Sequence, residues 1–170
     1  SWTTTASVSQ KFIFDKINDY LDEKTTLVLN ANDGISGLLG EEKCNRVFFS
    51  VNKTERSTTK CEDTVCDLIA CPKCNHKLDY EFYHYNHIGV PKCNSCGFTM
   101  PQSTYFASDV DFLNGTFVFN GDKGESFVLP YQKGNFFNVF NITGACAICR
   151  LMGIDIDIIA NSIEDLSSKT

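Results

Sequence analysis

Apolar positions along the chain change period several times, and each change marks an element. Ile13, Phe14, Ile17, Tyr20 and Leu21 recur at three- and four-residue spacing, which predicts a helix over residues 7–21 with Ser7 or Ser9 as its cap. Thr26-Leu-Val-Leu29 is a short, continuously apolar run of the kind found in strands buried on both faces. It gives way to the polar turn Asn30-Ala-Asn-Asp33-Gly34 and then to a short helix over Ile35–Leu39, stopped by Gly40. Buried strand, polar loop and helix in that order predict an α/β sheet. In such sheets ligands bind beyond the carboxyl ends of the strands, the address occupied by Asn30, Asn32 and Asp33. The same three residues are also common turn formers.

Downstream, Arg46–Val51 reads as the next strand and residues 52–63 as a polar loop. Asp67–Ala70 is expected as a short strand. Lys77–Tyr85 alternates in part and is aromatic; with a return through Ile88-Gly-Val90 it predicts a β-hairpin. Tyr105–Phe112, Gly115–Phe119 and Ser126–Leu129 are separated by Asn114-Gly115 and Asn120-Gly121, which predicts an antiparallel meander. A helix is expected from Asn135 to about Met152, ended by Gly153, and a last amphipathic helix from Asp155 through Ile158, Ile159 and Ile163 to Leu166.

The candidate chemistry is concentrated in cysteine. Cys71-Pro-Lys-Cys74 and, after eighteen further residues, Cys93-Asn-Ser-Cys96 supply two tight turns with two thiolates each. Four soft sulfur ligands at this spacing match a closed tetrahedral zinc ribbon. Such a zinc has no open position for water or substrate, so its role is structural rather than catalytic. Iron would fit the same four sulfurs. His76, two residues after Cys74, is expected outside the completed shell. Cys61 and Cys66 lie just ahead of the ribbon at a spacing that fits no ligand pattern, and pairing between them is open.

Composition narrows the setting. The chain has 170 residues, nine cysteines and a formal net charge of −6. That charge argues against nucleic acid as a partner, because phosphate binding favours a basic face. Ser1-Trp-Thr-Thr-Thr5 has neither a basic nor an apolar signal region, and no apolar run approaches membrane-spanning length. A cytoplasmic, reducing location follows as an expectation, with four cysteines on metal and five as thiols.

Two further segments resemble a known family. Gly134-Asn-Phe-Phe-Asn138-Val-Phe-Asn141, followed by a small-residue helix and Leu151-Met-Gly153-Ile154, resembles the end of the ATP-binding central domain of the Mur ligases, which build the peptide of bacterial cell-wall precursors. Leu27-Val-Leu-Asn30-Ala-Asn-Asp33 resembles the Leu-Val-Leu-Asn-Ala-Asp-Asp segment of the same domain, with Asn32 at a departing position. The cysteine ribbon resembles the insertion in one branch of that family, the MurT-type subunits of lipid II isoglutaminyl synthase. The resemblance spans about Leu27 to Leu166.

It implies a partial Mur-ligase central domain of α/β class from residues 1–66 and 104–170, with a zinc ribbon inserted at 67–103. It carries Asn138 and Asn141 over to the adenine of ATP, and makes Asn30 and Asp33 candidates at the border of the nucleotide pocket. Carboxamides suit an adenine edge because they donate and accept together. Helix capping by Asn138 needs no ligand and stands beside that reading. The implied parent enzyme is bacterial and cytoplasmic. It uses ATP and magnesium to amidate the stem-peptide glutamate of lipid II, with ammonia from a GatD-type glutamine amidotransferase.

The sequence also departs from the family. It contains no Gly-x-x-Gly-Lys-Thr/Ser phosphate loop, and neither the family's magnesium ligands nor its carboxyl-terminal domain can be placed in it. The chain alone is therefore expected to be inactive, with at most weak nucleotide binding. A zinc-ribbon interaction or nucleic-acid module is the rival reading, with Phe82, Tyr83 and Tyr85 as stacking platforms. Cys146-Ala-Ile-Cys149 has redox spacing, but it falls well inside a predicted helix, where buried inert thiols are expected.

Overall fold

A computed structural model describes residues 13–61 and 68–167. Residues 13–18 are helical (α1), while the rest of the predicted 7–21 helix either lies outside the described residues or forms a turn. The strands are β1 (Thr26–Asn30), β2 (Asn45–Val51), β3 (Asp79–Tyr85), β4 (Ile88–Lys92), β5 (Tyr105–Asp111), β6 (Thr116–Asn120) and β7 (Ser126–Pro130). Two helices close the chain, α2 (Phe137–Leu151) and α3 (Ile156–Ser167).

β1, β2, β5, β6 and β7 form one mixed sheet in that order. β1 and β5 both run parallel to β2, which fits the expected α/β class. β5, β6 and β7 form the predicted antiparallel meander. α2 packs across β1, β2 and β5, and α3 against β7. Val51, Tyr105, Ala107, Phe117, Phe119, Leu129, Val139 and Ala147 build the main core. Gly144 lets α2 approach closely, since a Cβ there would sit 3.0 Å from the Phe49 ring.

Several local expectations shift. The short helix after β1 is a 3-10 turn over Ser36–Leu38. The expected strand at 67–70 is reduced, among the described residues, to one bridge between Ala70 and Lys77. β1 pairs with β2 on one side, and Leu27 and Val28 are half-buried rather than enclosed on both faces.

β3 and β4 form a separate two-stranded sheet. Leu68, Cys71, Leu78, Cys93 and Phe98 make a small core of their own, with Ile35 and Leu38 of the 3-10 turn packed against it. The hairpin is tight: a Cβ on Gly89 would fall 2.2 Å from the Phe82 carbonyl oxygen. Isolated hairpins are marginal in water, so this one depends on what holds its two ends.

Candidate functional site

Two similarly built turns bring the four cysteines together. In the first, the Asn75 amide donates to Cys71 O at 2.8 Å and the Cys71 amide to His76 O at 2.7 Å. In the second, the Gly97 amide donates to Cys93 O at 2.9 Å and the Cys93 amide to Phe98 O at 2.8 Å. Asn75 and Gly97 occupy the same left-handed position, with φ of 64° and 74°, which Asn and Gly tolerate best. The repeat of this pattern puts every sulfur on the inside of its turn.

The four ligand atoms lie within 4.8 Å of one another, with Cys71–Cys96 and Cys74–Cys93 Sγ pairs at 3.5 Å. A tetrahedron of sulfurs around zinc has edges of about 3.8 Å, from Zn–S bonds of about 2.3 Å. The donor set and its spacing therefore fit a closed four-sulfur site. Hydrogen bonds from the Cys96 and Ser95 amides draw the Cys93 thiol down to about 6, against burial. Against the Phe98 amide, the Cys74 sulfur, burial and the Cys71 and Cys93 sulfurs together push the Cys96 thiol up to about 12, as expected of close thiols that share protons. His76 stays exposed, its Nδ1 3.2 Å from Cys74 O. Cys61 is engaged in a disulfide, which corrects the expectation of five free thiols; Cys66 lies outside the described residues.

A second feature lies at the carboxyl end of β1. A groove of about 490 Å³ is lined by Asn30, Phe49, Tyr85, Phe137, Asn141 and Ile148, among others. It brings together two of the four nucleotide candidates from opposite ends of the sequence. Asn141 is exposed on α2, one turn beyond Phe137. Asn30 is half-buried, and its Oδ1 accepts the Asn32 amide at 2.9 Å. Asn138 and Asp33 are not in the lining. Asn138 is half-buried in the first turn of α2, where no side chain caps the helix.

Asp33 turns toward the hairpin instead. Its Oδ1 lies 3.4 Å from His87 Nε2 and accepts the Ile35 amide at 2.9 Å. Burial would raise its pKa, but hydrogen bonds from His87, Ser36 and the Ile35 amide outweigh it and hold the carboxyl below its ordinary value. Burial, aided by the Asp33 carboxylate, pushes the nearby Tyr85 phenol up to about 12. Asn32, which is 2% exposed, accepts the Val51 amide through Oδ1 at 2.7 Å. Its own carbonyl accepts the Gly89 amide at 2.8 Å, so Asn32 ties the ends of β1, β2 and β4 together.

No family model matches. The MurT subunit of lipid II isoglutaminyl synthase from Staphylococcus aureus (strain COL) is 27% identical over 142 residues, covering 84% of this chain and 31% of that protein. The MurT subunit from Streptococcus pneumoniae is 31% identical over 99 residues, covering 56% of this chain and 21% of that protein. The structure of a pseudomurein peptide ligase type C from Methanothermus fervidus superposes with a TM-score of 0.66 at 31% identity, over 81% of this chain and 26% of that one. Over most of its own length the chain is similar to MurT-type Mur ligases. It spans about a third or less of the length of each relative.

Two residues of the groove, and one beside it, take places that local spacing did not give. Tyr85 read as a hairpin aromatic and, in the rival reading, a stacking platform, and Phe137 as a helix aromatic; their rings meet edge to face at 4.5 Å and wall the groove. His84 lies in the hairpin and is half-buried. Val51 O can only accept, so His84 Nε2, at 3.0 Å, donates; Nδ1 then accepts from Ser57 Oγ at 3.2 Å. Burial lowers the His84 pKa, against the hydrogen bond to Val51. Cys146 is 1% exposed and burial pushes its thiol up to about 12, which removes the redox reading of Cys146 and Cys149. Among the described residues no helix is long and apolar enough to cross a membrane.

Proposed function

We propose that this chain is the adenine-facing part of an ATP-dependent amide-forming ligase of cell-wall precursor synthesis, with residues 67–103 as an inserted zinc ribbon. The observation that carries it is the groove in which Asn30 and Asn141, about 110 residues apart, line one aromatic-walled cleft at the end of a parallel strand. Tyr85 and Phe137 would flank a planar base and exclude water from its faces. The two carboxamides would then donate to and accept from its edge in a place where those hydrogen bonds are not diluted by solvent.

ATP, when bound, supplies the phosphoryl group that makes a carboxylate electrophilic, so that ammonia can displace phosphate and leave an amide. No phosphate loop occurs in these residues, so this chain would hold the base and leave phosphate and magnesium to other parts of the longer protein. The MurT relatives are named for lipid II isoglutaminyl synthase, and on that basis lipid II is the proposed acceptor, with a GatD-type glutamine amidotransferase supplying ammonia in the cytoplasm. Calorimetry of adenosine and ATP against the 170-residue chain tests the groove. Weak binding of both, lost in Asn141→Ala and in Asn30→Ala, supports the reading. Binding that survives both substitutions places the nucleotide elsewhere.

One observation favours a second reading, a ribbon interaction module. Lys60, Lys77 and Lys92, with Asp79 and Glu81, line a groove of about 590 Å³ that also holds the stacked Tyr80 and Tyr83 rings. A salt-dependent shift with single-stranded nucleic acid, lost in Tyr83→Ala, would favour it.

A further inference from the structure

The cysteine cluster and the groove are separate places joined by one hairpin. β3 and β4 run from the two cysteine turns to a tip that carries Tyr85 and His87, with Ile88 and Gly89 just beyond. On one side that tip grips the loop after β1. The Gly89 amide donates to Asn32 O at 2.8 Å, Asp33 bridges Ile88, and His87 Nε2 lies 3.4 Å from the Asp33 carboxylate. On the other side Tyr85 packs edge to face on Phe137 and Phe140, with centroids 4.5 and 5.8 Å away.

We propose that the metal ribbon is a positioning device for the groove. Filling the four-cysteine site orders the Asn30–Asp33 loop and the Tyr85 wall, so that metal and groove ligand bind cooperatively. The small core at the base of the hairpin is built on five buried residues, and two of them, Cys71 and Cys93, belong to the cluster. A hairpin with so little core of its own is marginal, and the metal fastens the end opposite the groove. When that end loosens, the tip no longer holds Asn32, and Asn32 no longer satisfies the Val51 amide. By linkage, any gain in ligand affinity produced by metal equals the gain in metal affinity produced by ligand. The base as groove ligand rests on the function proposed above; the coupling of metal to loop does not.

Amide hydrogen exchange of the 170-residue chain, zinc-loaded and then chelated, tests the coupling without nucleotide. The reporters are the Val51 and Gly89 amides, which depend on Asn32. Chelation should speed their exchange by roughly tenfold or more while β6 and α2 amides stay protected. Cys96→Ser, at the exposed ligand, should reproduce this without chelator. In zinc-loaded Asn32→Ala the Val51 amide should already be fast and chelation should add nothing. His87→Ala, which leaves the cysteines and Asn32 in place, should move the same way to a smaller extent. Acceleration confined to the amides of Cys71, Asn75, Cys93 and Gly97 would overturn the proposal, and so would loss of protection throughout the chain. A parallel adenosine titration should show affinity about tenfold weaker after chelation. Equal affinity in both forms would also overturn the coupling. Binding to neither would reject the base reading and leave the exchange result to decide the positioning.

Discussion

Replacing Asn32 with alanine isolates the contact on which the groove loop depends. The side chain is 2% exposed and its Oδ1 accepts the Val51 amide at 2.7 Å, while Val51 itself is 0% exposed. Truncation leaves that buried N–H without an acceptor, at a cost of about 1–3 kcal/mol. The second side-chain bond, Nδ2 to Gly89 O, is long at 3.5 Å and adds little. The backbone bond from Gly89 to Asn32 survives the substitution. The expected loss is therefore about 2 kcal/mol, which for a chain of this size lowers Tm by about 4–8 °C. Differential scanning fluorimetry on zinc-loaded protein measures it, with exchange of the Val51 amide as the local readout. A Tm within about 1 °C of the parent, with Val51 still protected, would mean that water or a shifted loop replaces the side chain, and the stapling role would fail.

Three other outcomes follow from the same geometry. One zinc per chain is expected by elemental analysis, falling well below one in Cys93→Ser, because a sulfur is lost from a closed set of four. Stability should fall with acid through His84: its folded pKa lies below the ordinary 6.5, so the unfolded chain binds the proton first, stability is complete above about 6.5 and declines as pH drops below it. The difference in Tm between pH 7.5 and 5.5 should shrink in His84→Phe; an unchanged difference would assign the acid sensitivity elsewhere. Gly144→Leu should cost about 1–3 kcal/mol by wedging α2 away from Phe49, seen as a lower urea midpoint with the helix content retained.

Much of this protein was legible in order along the chain. The two cysteine turns were readable because their geometry is local: four residues set the pair of sulfurs, and the left-handed position falls on Asn75 and Gly97. β1, β2, the β3–β4 hairpin, the meander and α2 follow from apolar periodicity and turn residues. The strand expected at 67–70 and the helix after β1 were less secure, because runs that short take their conformation from tertiary neighbours.

What the sequence determined by itself is therefore the inventory: a metal-ligand set at known spacing, α/β periodicity, and amides placed just after a strand and at the start of a helix. Only the tertiary structure decided which of them meet. It placed Asn30 and Asn141 in one groove, turned Asp33 away to His87, and made Asn32, the position that departs from the family pattern, a buried link between three strands. It also put Tyr85, on the hairpin between the two cysteine turns, into the groove wall. The physical reason is that these contacts join residues far apart in the chain. Their partners are chosen by strand order and by the demand that each buried amide find an acceptor, and neither is written in local spacing.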